Sequence, residues 1–430
     1  MKKTLFVLLM AATLVLGVGI AGVVLAEDHG QQDPLIDRLI RKGILTEQEG
    51  VEIQKEEAKD KGLVLPKGLR GIKVGMLAYI DYSNGVTPES HDSESSYNHF
   101  RLTRGYLTVK KELLPWMHTR ITIDTHQDDT GDYKERIKYL YAELRPPDLG
   151  PFTDMKSEIG IGHIPWLDFE EHINLYRCQG TMAVERAGTF NSADAGVSLR
   201  GYLGGKLEDA EENTGSHYYD GRHGSWHLGV YNGAGYHAKE VNNNKVVEGR
   251  LTWRVLPDLV PGLQLSYFGK YGEGNSKDKG DEEEYPDYPD YMVNLGMLSY
   301  EHPWVVLTGQ YFQTEGNAKG KWVDTLGKAL ATEGYSCYAN VKLPVLDRKL
   351  SVIARYDYFD QDSDDKLADA SDYEMYIGGL AWNVYKGNML LVMYEQTDYG
   401  KNAGKKGKLP EIDNRLGDDH KVQVVWQIKF

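Results

Sequence analysis

The stretch Ile72-Lys73-Val74-Gly75-Met76-Leu77-Ala78-Tyr79-Ile80-Asp81-Tyr82 carries an apolar or aromatic residue at every even position, with Lys73, Tyr79 and Asp81 between them. A repeat of two belongs to an extended strand with one apolar and one polar face, because successive side chains point to opposite sides. The same repeat returns along the chain. Ile121 and Ile123 oppose Arg120, Asp124 and His126, and Val197 and Leu199 oppose Ser198 and Arg200. Leu251, Trp253 and Val255 oppose Arg250, Thr252 and Arg254, while Leu263, Leu265 and Tyr267 oppose Gln264, Ser266 and Lys270. From residue 70 to the end no segment reads as an amphipathic helix.

Composition narrows what such strands can build. The chain has 430 residues, with 29 Tyr, 8 Trp and 47 Gly but only 15 Pro and 2 Cys. One globular domain rarely grows past ~250–300 residues, so the length implies several ordinary domains or one very large one. The formal charge of −15 disfavours nucleic-acid binding, which needs a basic footprint. Two cysteines cannot staple a disulfide-dense scaffold, and no CxxCH haem-attachment motif occurs. A mean hydropathy of −0.50 excludes a bundle of membrane helices. It leaves open a membrane protein whose lipid face uses only alternate residues.

The beginning of the chain is different. Lys2 and Lys3 precede an uncharged run from Thr4 to Ala26 that ends Val24-Leu25-Ala26. Residues 1–26 read as an export signal, in preference to a retained anchor. Asp33-Pro34 opens a helix striped by Leu35, Ile36, Leu39 and Ile40, and Gly43 stops it. Thr46-Glu47-Gln48-Glu49 has the spacing of a capping box and begins a second helix. Residues 27–66 are therefore expected to form a short helical hairpin, and 67–430 the β domain.

A soluble sandwich and a membrane barrel share the alternating pattern, and three features favour the barrel. Charged residues recur on the polar parity at mid-strand, where a watery lumen tolerates them. Apolar parities often end in Tyr or Trp, as at Tyr82, Trp116, Trp253, Tyr267, Trp304 and Trp382, which suits an interfacial girdle. The connections also alternate in length. Strands are expected near 71–83, 98–112, 116–127, 135–145, 156–163, 192–201, 225–232, 245–256, 262–272, 291–300, 304–315, 334–343, 349–359, 373–385, 388–397 and 420–430. The odd-numbered gaps are long, polar and mostly acidic, and the even-numbered ones are tight, with Pro or Gly. Only the short 128–134 gap and the long 202–224 gap break that rule. The expectation is an all-β, 16-stranded antiparallel transmembrane β-barrel with a short N-terminal helical segment and both termini on the periplasmic, short-turn side. The terminal Val422-Gln-Val424-Val-Trp426-Gln-Ile428-Lys-Phe430 is expected to close the ring against the first strand.

The run Ile159-Gly-Ile-Gly-His163-Ile-Pro165-Trp166, followed by Glu170-Glu171, Ala183-Val-Glu185-Arg186 and Ala195-Gly-Val-Ser-Leu-Arg200-Gly201, resembles the phosphate-selective porin O/P-type outer-membrane porins. The resemblance spans roughly 70–430. It implies a homotrimeric porin whose third loop folds into the lumen, passing small hydrophilic solutes or ions, with anions such as phosphate as candidates. Members of that family pass anions along a ladder of basic residues; here acids stand among the basic candidates.

Strand parity places Arg101, Arg120, Arg200, Arg250, Arg254, Lys270, Lys342 and Arg355 toward the lumen, with Asp124, Glu248 and Asp357 among them. Arg–carboxylate pairing within the wall is the competing role for each. Asp168, Glu170, Glu171, Arg177, Glu185 and Arg186 lie in the third loop, 164–191, which is expected to narrow the pore. Arg177 and Arg186 facing Glu170 and Glu171 would set up a transverse field. The acidic runs 281–290 and 360–372 read as a solvated rim, with loose divalent-cation bridging to lipopolysaccharide as the alternative. Cys178 and Cys337, on different faces, are expected to be free.

No GxSxG or HExxH motif is present and no phosphate-binding loop follows a strand, so no catalytic residue, metal or cofactor is expected. The expected surroundings are outer-membrane lipid and lipopolysaccharide. An alternative is a barrel sleeve that holds an electron-transfer or export partner, and a second is a soluble exported β protein.

Overall fold

The structure, a computed structural model, describes residues 39–40, 42, 45–46, 49 and 71–430, apart from 91–92, 129, 190 and 278–287. The expected signal and most of the expected helical hairpin lie outside the described residues, as does the acidic run 281–284. Thr46 and Glu49 do form the reciprocal pair of a capping box: the Thr46 backbone N–H donates to Glu49 Oε2 at 2.9 Å, and the Glu49 N–H donates to Thr46 Oγ1 at 3.2 Å.

The described residues from Ile72 onward form sixteen antiparallel strands closed into one ring. They are β1 (Ile72–Ser90), β2 (Ser93–Leu114), β3 (Met117–Gln127), β4 (Tyr133–Leu144), β5 (Phe152–His163), β6 (Ala193–Leu203), β7 (Gly224–Tyr231) and β8 (Val246–Arg254). The ring continues with β9 (Leu263–Glu273), β10 (Asp290–His302), β11 (Val305–Glu315), β12 (Ala331–Lys342), β13 (Leu350–Asp360), β14 (Asp372–Tyr385), β15 (Asn388–Tyr399) and β16 (Asp419–Lys429). Each strand neighbours the next in sequence, and β16 closes on β1 from Leu77↔Lys429 to Val86↔His420. Met76 and Phe430 exchange both backbone hydrogen bonds, at 3.2 Å each, so the last residue seals the ring. Closure pairs the backbone N–H and C=O groups between strands, the condition for a sheet to sit in hydrocarbon.

The outward parity is an apolar belt. Ile80, Leu107, Val197, Leu251, Leu265 and Leu307 are all exposed on it. Two departures from the sequence expectation have clear causes. The 84–97 segment is not a loop: β1 continues to Ser90 and β2 begins at Ser93, so the first hairpin stands tall. Register also shifts between Thr122 and Ile123 against β4, leaving Lys138 between the pairs Ile123↔Ile137 and Thr122↔Tyr139. That bulge breaks strict alternation, and Lys138 and Tyr139 are both buried.

The larger departure is inside the ring. The inward parity of β10 to β15 is apolar, with Val293, Leu295, Met297, Phe312, Ile353, Met375, Ile377 and Met393 buried. The third long connection, 164–192, covers that wall with Trp166, Leu167, Phe169, Ile173, Met182 and Val184, forming one hydrophobic cluster. Half-filling the lumen gives the strands on that side two apolar faces, the inner one buried and the outer one exposed. The aqueous space is left along β1 to β6 and β16.

Candidate functional site

The third loop carries two short helices, α1 (Leu167–Ile173) and α2 (Ala183–Arg186). Its apolar residues face the β10–β15 wall, and buried polar contacts moor it further. Glu170 accepts from Trp166 Nε1 at 2.7 Å and from Gln310 Nε2 at 2.8 Å, and Arg355 Nη1 donates to the Thr181 carbonyl at 2.9 Å. Burial raises the Glu170 carboxyl to about 7. Arg250, only 2% exposed, donates from Nε to the Pro165 carbonyl at 3.0 Å and covers the Phe169 ring at 4.1 Å.

The opposite side of the loop faces water. A cavity of about 310 Å³ between the loop and the wall is lined by Arg101, Arg104, Arg177, Arg186, Lys406 and Lys421, together with Tyr79, Thr103, Gln179, Thr181 and Gln423. No carboxylate lines it among the described residues. The acids sit behind. Asp81 and Asp124 have side chains at 0% exposure and hold Arg101 at 3.2 Å and Arg104 at 3.2 Å. Asp124 also holds Arg136 at 3.0 Å. Arg177 bridges Glu171 (2.9 Å) and Glu185 (3.3 Å) within the loop. Arg186 reaches Glu395 at 2.9 Å, as do Lys421 at 3.5 Å and Lys406 at 3.8 Å. Guanidinium forks and flexible ammonium stems extend past the shorter carboxylates, so cations form the surface and anions the backing. Gly180 leaves room for the Arg186 guanidinium, because a Cβ on it would lie 2.0 Å from Arg186 Nη2 and displace it.

At the short-turn end a second cavity of about 380 Å³ includes Lys110, Arg120, Glu143, His163, Asp168 and Arg200. Arg200 pairs with Glu158 at 2.7 Å, and Glu158 accepts the His163 backbone N–H at 2.9 Å. Gly162 permits that bond, since its Cβ would meet Glu158 Oε2 at 2.7 Å. The long turn 204–223, for which the sequence offered no role, contributes Tyr218 and Tyr219 to this cavity. Tyr219 donates to Asp168 Oδ2 at 2.5 Å and packs edge-on against Phe169.

The expected site residues therefore divide into groups. Arg101, Arg177 and Arg186 meet at the constriction; Glu171 and Glu185 pair with Arg177, and Asp124 pairs with Arg104, which lines the same gap. Arg120, Asp168 and Arg200 meet at the second cavity. Glu170 and Arg250 are buried under the loop. Arg254 donates to the carbonyls of Gly221 and Pro261, Lys270 pairs with Glu248 at 2.8 Å, and Arg355 pairs with Asp357 at 2.5 Å. Lys342 lies half-buried at the short-turn end of β12. Sequence reading missed Arg104, Lys110, Lys138, Lys406 and Lys421. Lys421 carried a signal, lying on the polar parity of the last strand. Lys138 carried none, because a bulge turns it inward. Cys178 is buried, Cys337 is exposed, and both are free.

No family model matches the chain, and no curated protein matches it by sequence. Solved structures do match by shape. An anion-selective porin from Comamonas acidovorans aligns with a TM-score of 0.53 at 12% identity, over 83% of this chain and 99% of its own. OprB of Pseudomonas putida aligns with a TM-score of 0.53 at 8% identity, over 88% and 96%. Salmonella typhi OmpF, in complex with daunomycin, aligns with a TM-score of 0.52 at 12% identity, over 84% and 97%. At such identities the likeness lies in the fold alone: the closed antiparallel barrel of this chain aligns with the barrels of these outer-membrane structures.

Proposed function

We propose that the chain is an outer-membrane porin that lets small hydrophilic solutes and ions diffuse passively, with anions such as phosphate preferred. The observation that carries this reading is the constriction itself: among the described residues, six basic side chains and no carboxylate line a polar gap between the third loop and the wall. An anion that sheds part of its water there meets N–H donors, and confinement strengthens each contact. The resemblance to phosphate-selective porins and the anion-selective Comamonas neighbour point the same way. In this reading the long loops face outward, the termini lie in the periplasm, and lipid and lipopolysaccharide surround the apolar belt. A homotrimer is proposed by analogy with the trimer form of the Vibrio cholerae OmpT neighbour, which aligns with a TM-score of 0.50 at 10% identity. The sleeve alternative is disfavoured because the third loop packs against β10–β15, where a protein partner would have to sit.

The test is reconstitution of the purified chain in a planar bilayer. Discrete conductance steps with a reversal potential of chloride sign in a KCl gradient are expected. A chain that stays monodisperse in detergent-free buffer and gives no steps would refute the channel reading. Steps with potassium-sign reversal would refute the anion preference alone.

A further inference from the structure

We infer that the six paired basic side chains of the constriction supply short-range N–H contacts to a passing anion, whereas the longer-range charge selectivity is set by Lys138, Arg120 and Lys110, on the short-turn side of the constriction. This deepens the channel reading above and rests on it.

The ion pairs at the constriction nearly cancel. Arg101, Arg104, Arg136, Arg177, Arg186, Lys406 and Lys421 are seven cations, and they contact Asp81, Asp124, Glu171, Glu185, Glu395 and Asp419, which are six carboxylates. Each pair is a short dipole whose field falls off faster with distance than that of a lone charge. The three inferred residues are arranged otherwise. Among the described residues no carboxylate oxygen lies within 4.0 Å of Lys110, Arg120 or Lys138. Lys138 Nζ donates to Tyr106 Oη at 2.8 Å and lies 4.7 Å from the Tyr106 ring and 5.6 Å from the Tyr139 ring. The Arg120 guanidinium covers the other neighbour, Tyr139, at 4.4 Å, and bonds Thr122 Oγ1 at 3.0 Å. Lys110 is the register partner of Arg120 on the next strand. Arg104 lies 5.6 Å from the Tyr106 ring, so a column of cations alternating with tyrosine faces runs from the constriction to the second cavity.

Tyrosine rings hold a cation without neutralising it, because their attraction comes from a quadrupole and not from a charge. In a protein wall of low dielectric, an unneutralised ammonium then acts on the passing ion over a longer range than a paired one. The counterweight is small. Glu143 and Asp168 act on Lys110, and Asp168 on Arg120, but Glu143 is bound to Arg145 at 2.9 Å, and Asp168 is held by the Tyr219 hydroxyl and faces His172 and His163. Glu171, which acts on Lys138, is bound to Arg177. Arg250 also lacks a carboxylate, but its N–H groups moor the third loop to Pro165, Ser225 and Thr252. Replacing it would unseat the loop, so it is unsuitable as a probe.

Removing any one cation lowers the net charge by one, so the discriminating test compares a lone charge with a whole pair. The full chain is measured in planar bilayers by reversal potential in a KCl gradient, with folding checked by heat-modifiable gel mobility. Lys138→Met and Arg120→Met are each expected to lower the chloride-to-potassium permeability ratio at least twofold, and Lys138→Arg to preserve it. The pair variant Arg101→Gln with Asp81→Asn, which removes a lining cation without changing net charge, is expected to leave the ratio near that of the parent. Loss of preference in the pair variant, with Lys138→Met unchanged, overturns the inference. Equal losses in both also overturn it, since the constriction would then share control. If Lys138→Met does not fold, Arg120→Met and Lys110→Met decide by the same comparison. An absence of conductance in the parent chain refutes the channel reading instead, so the two failures are distinct.

Discussion

Replacing Trp166 by Ala should release the third loop from the wall without unfolding the barrel. Trp166 is fully buried, with Phe169 at 5.6 Å and Phe268 at 5.8 Å between ring centroids, and its Nε1 satisfies Glu170 at 2.7 Å. Truncating a buried aromatic of this size costs about 3–5 kcal/mol. The strand ladder closes through β1 and β16 independently of the loop, so most of that cost falls on loop docking. At ~1.4 kcal/mol per factor of ten, the docked-to-released ratio should fall by roughly two to four orders of magnitude. Single-channel recordings of Trp166→Ala should show frequent steps to a larger conductance. Trypsin should cut at Arg177 or Arg186, which the parent protects at the constriction. Trp166→Phe, which keeps a ring but loses the N–H, should fall between. A Trp166→Ala protein with heat-modifiable mobility, steady parental conductance and parental trypsin resistance would show that the cluster does not hold the loop, and the argument for a half-filled lumen would fail.

Three further outcomes follow from the same geometry. Glu170 keeps its proton in the folded chain to about pH 7, whereas an unfolded Glu gives it up near 4.5. The unfolded state then binds fewer protons between those values, so stability should fall by about 3 kcal/mol as pH rises through that window. Glu170→Gln should flatten that dependence in thermal melts in detergent, and an unchanged slope would contradict the burial assigned to Glu170. Gly180→Ala should push Arg186 away from Glu395 and alter conductance measurably while leaving thermal stability near that of the parent; identical conductance would refute the contact at Gly180. Cys178 borders the constriction cavity but is only 4% exposed, and burial raises its thiol to about 12, so a maleimide reagent should label Cys178 far more slowly in folded than in unfolded protein, and label Cys337 readily in detergent-dispersed folded protein. Rapid labelling of Cys178 in folded protein would show that its side of the loop is open.

Strand number and order were legible from residue types because the repeat of two and the alternation of loop lengths are local properties. Each of the sixteen expected strands has its counterpart, and Phe430 closes the ring as its position at the end of an alternating run implied. The candidate site was only partly legible. Arg101, Arg177 and Arg186 could be assigned to the lumen by parity or by loop, and they meet at the constriction. Arg254, Lys270 and Arg355 lie on the same parity, yet they bond turn carbonyls, a wall carboxylate and the third loop respectively, because parity gives the face of a strand and not what covers that face. Lys138 was invisible, since one extra residue in β4 reverses its direction.

The amino-acid order alone therefore determined that this chain forms a ring with a lipid-compatible exterior. That outcome follows from backbone periodicity, which repeats every two residues regardless of distant neighbours. Only the folded chain decided which part of the interior is dry, since Trp166 and Phe169 find Phe268 and Leu295 more than ninety residues away. Which cations keep their charge unopposed was decided the same way. Neutralisation depends on separations of a few ångströms between side chains from different strands, and bulges and an infolded loop set those separations.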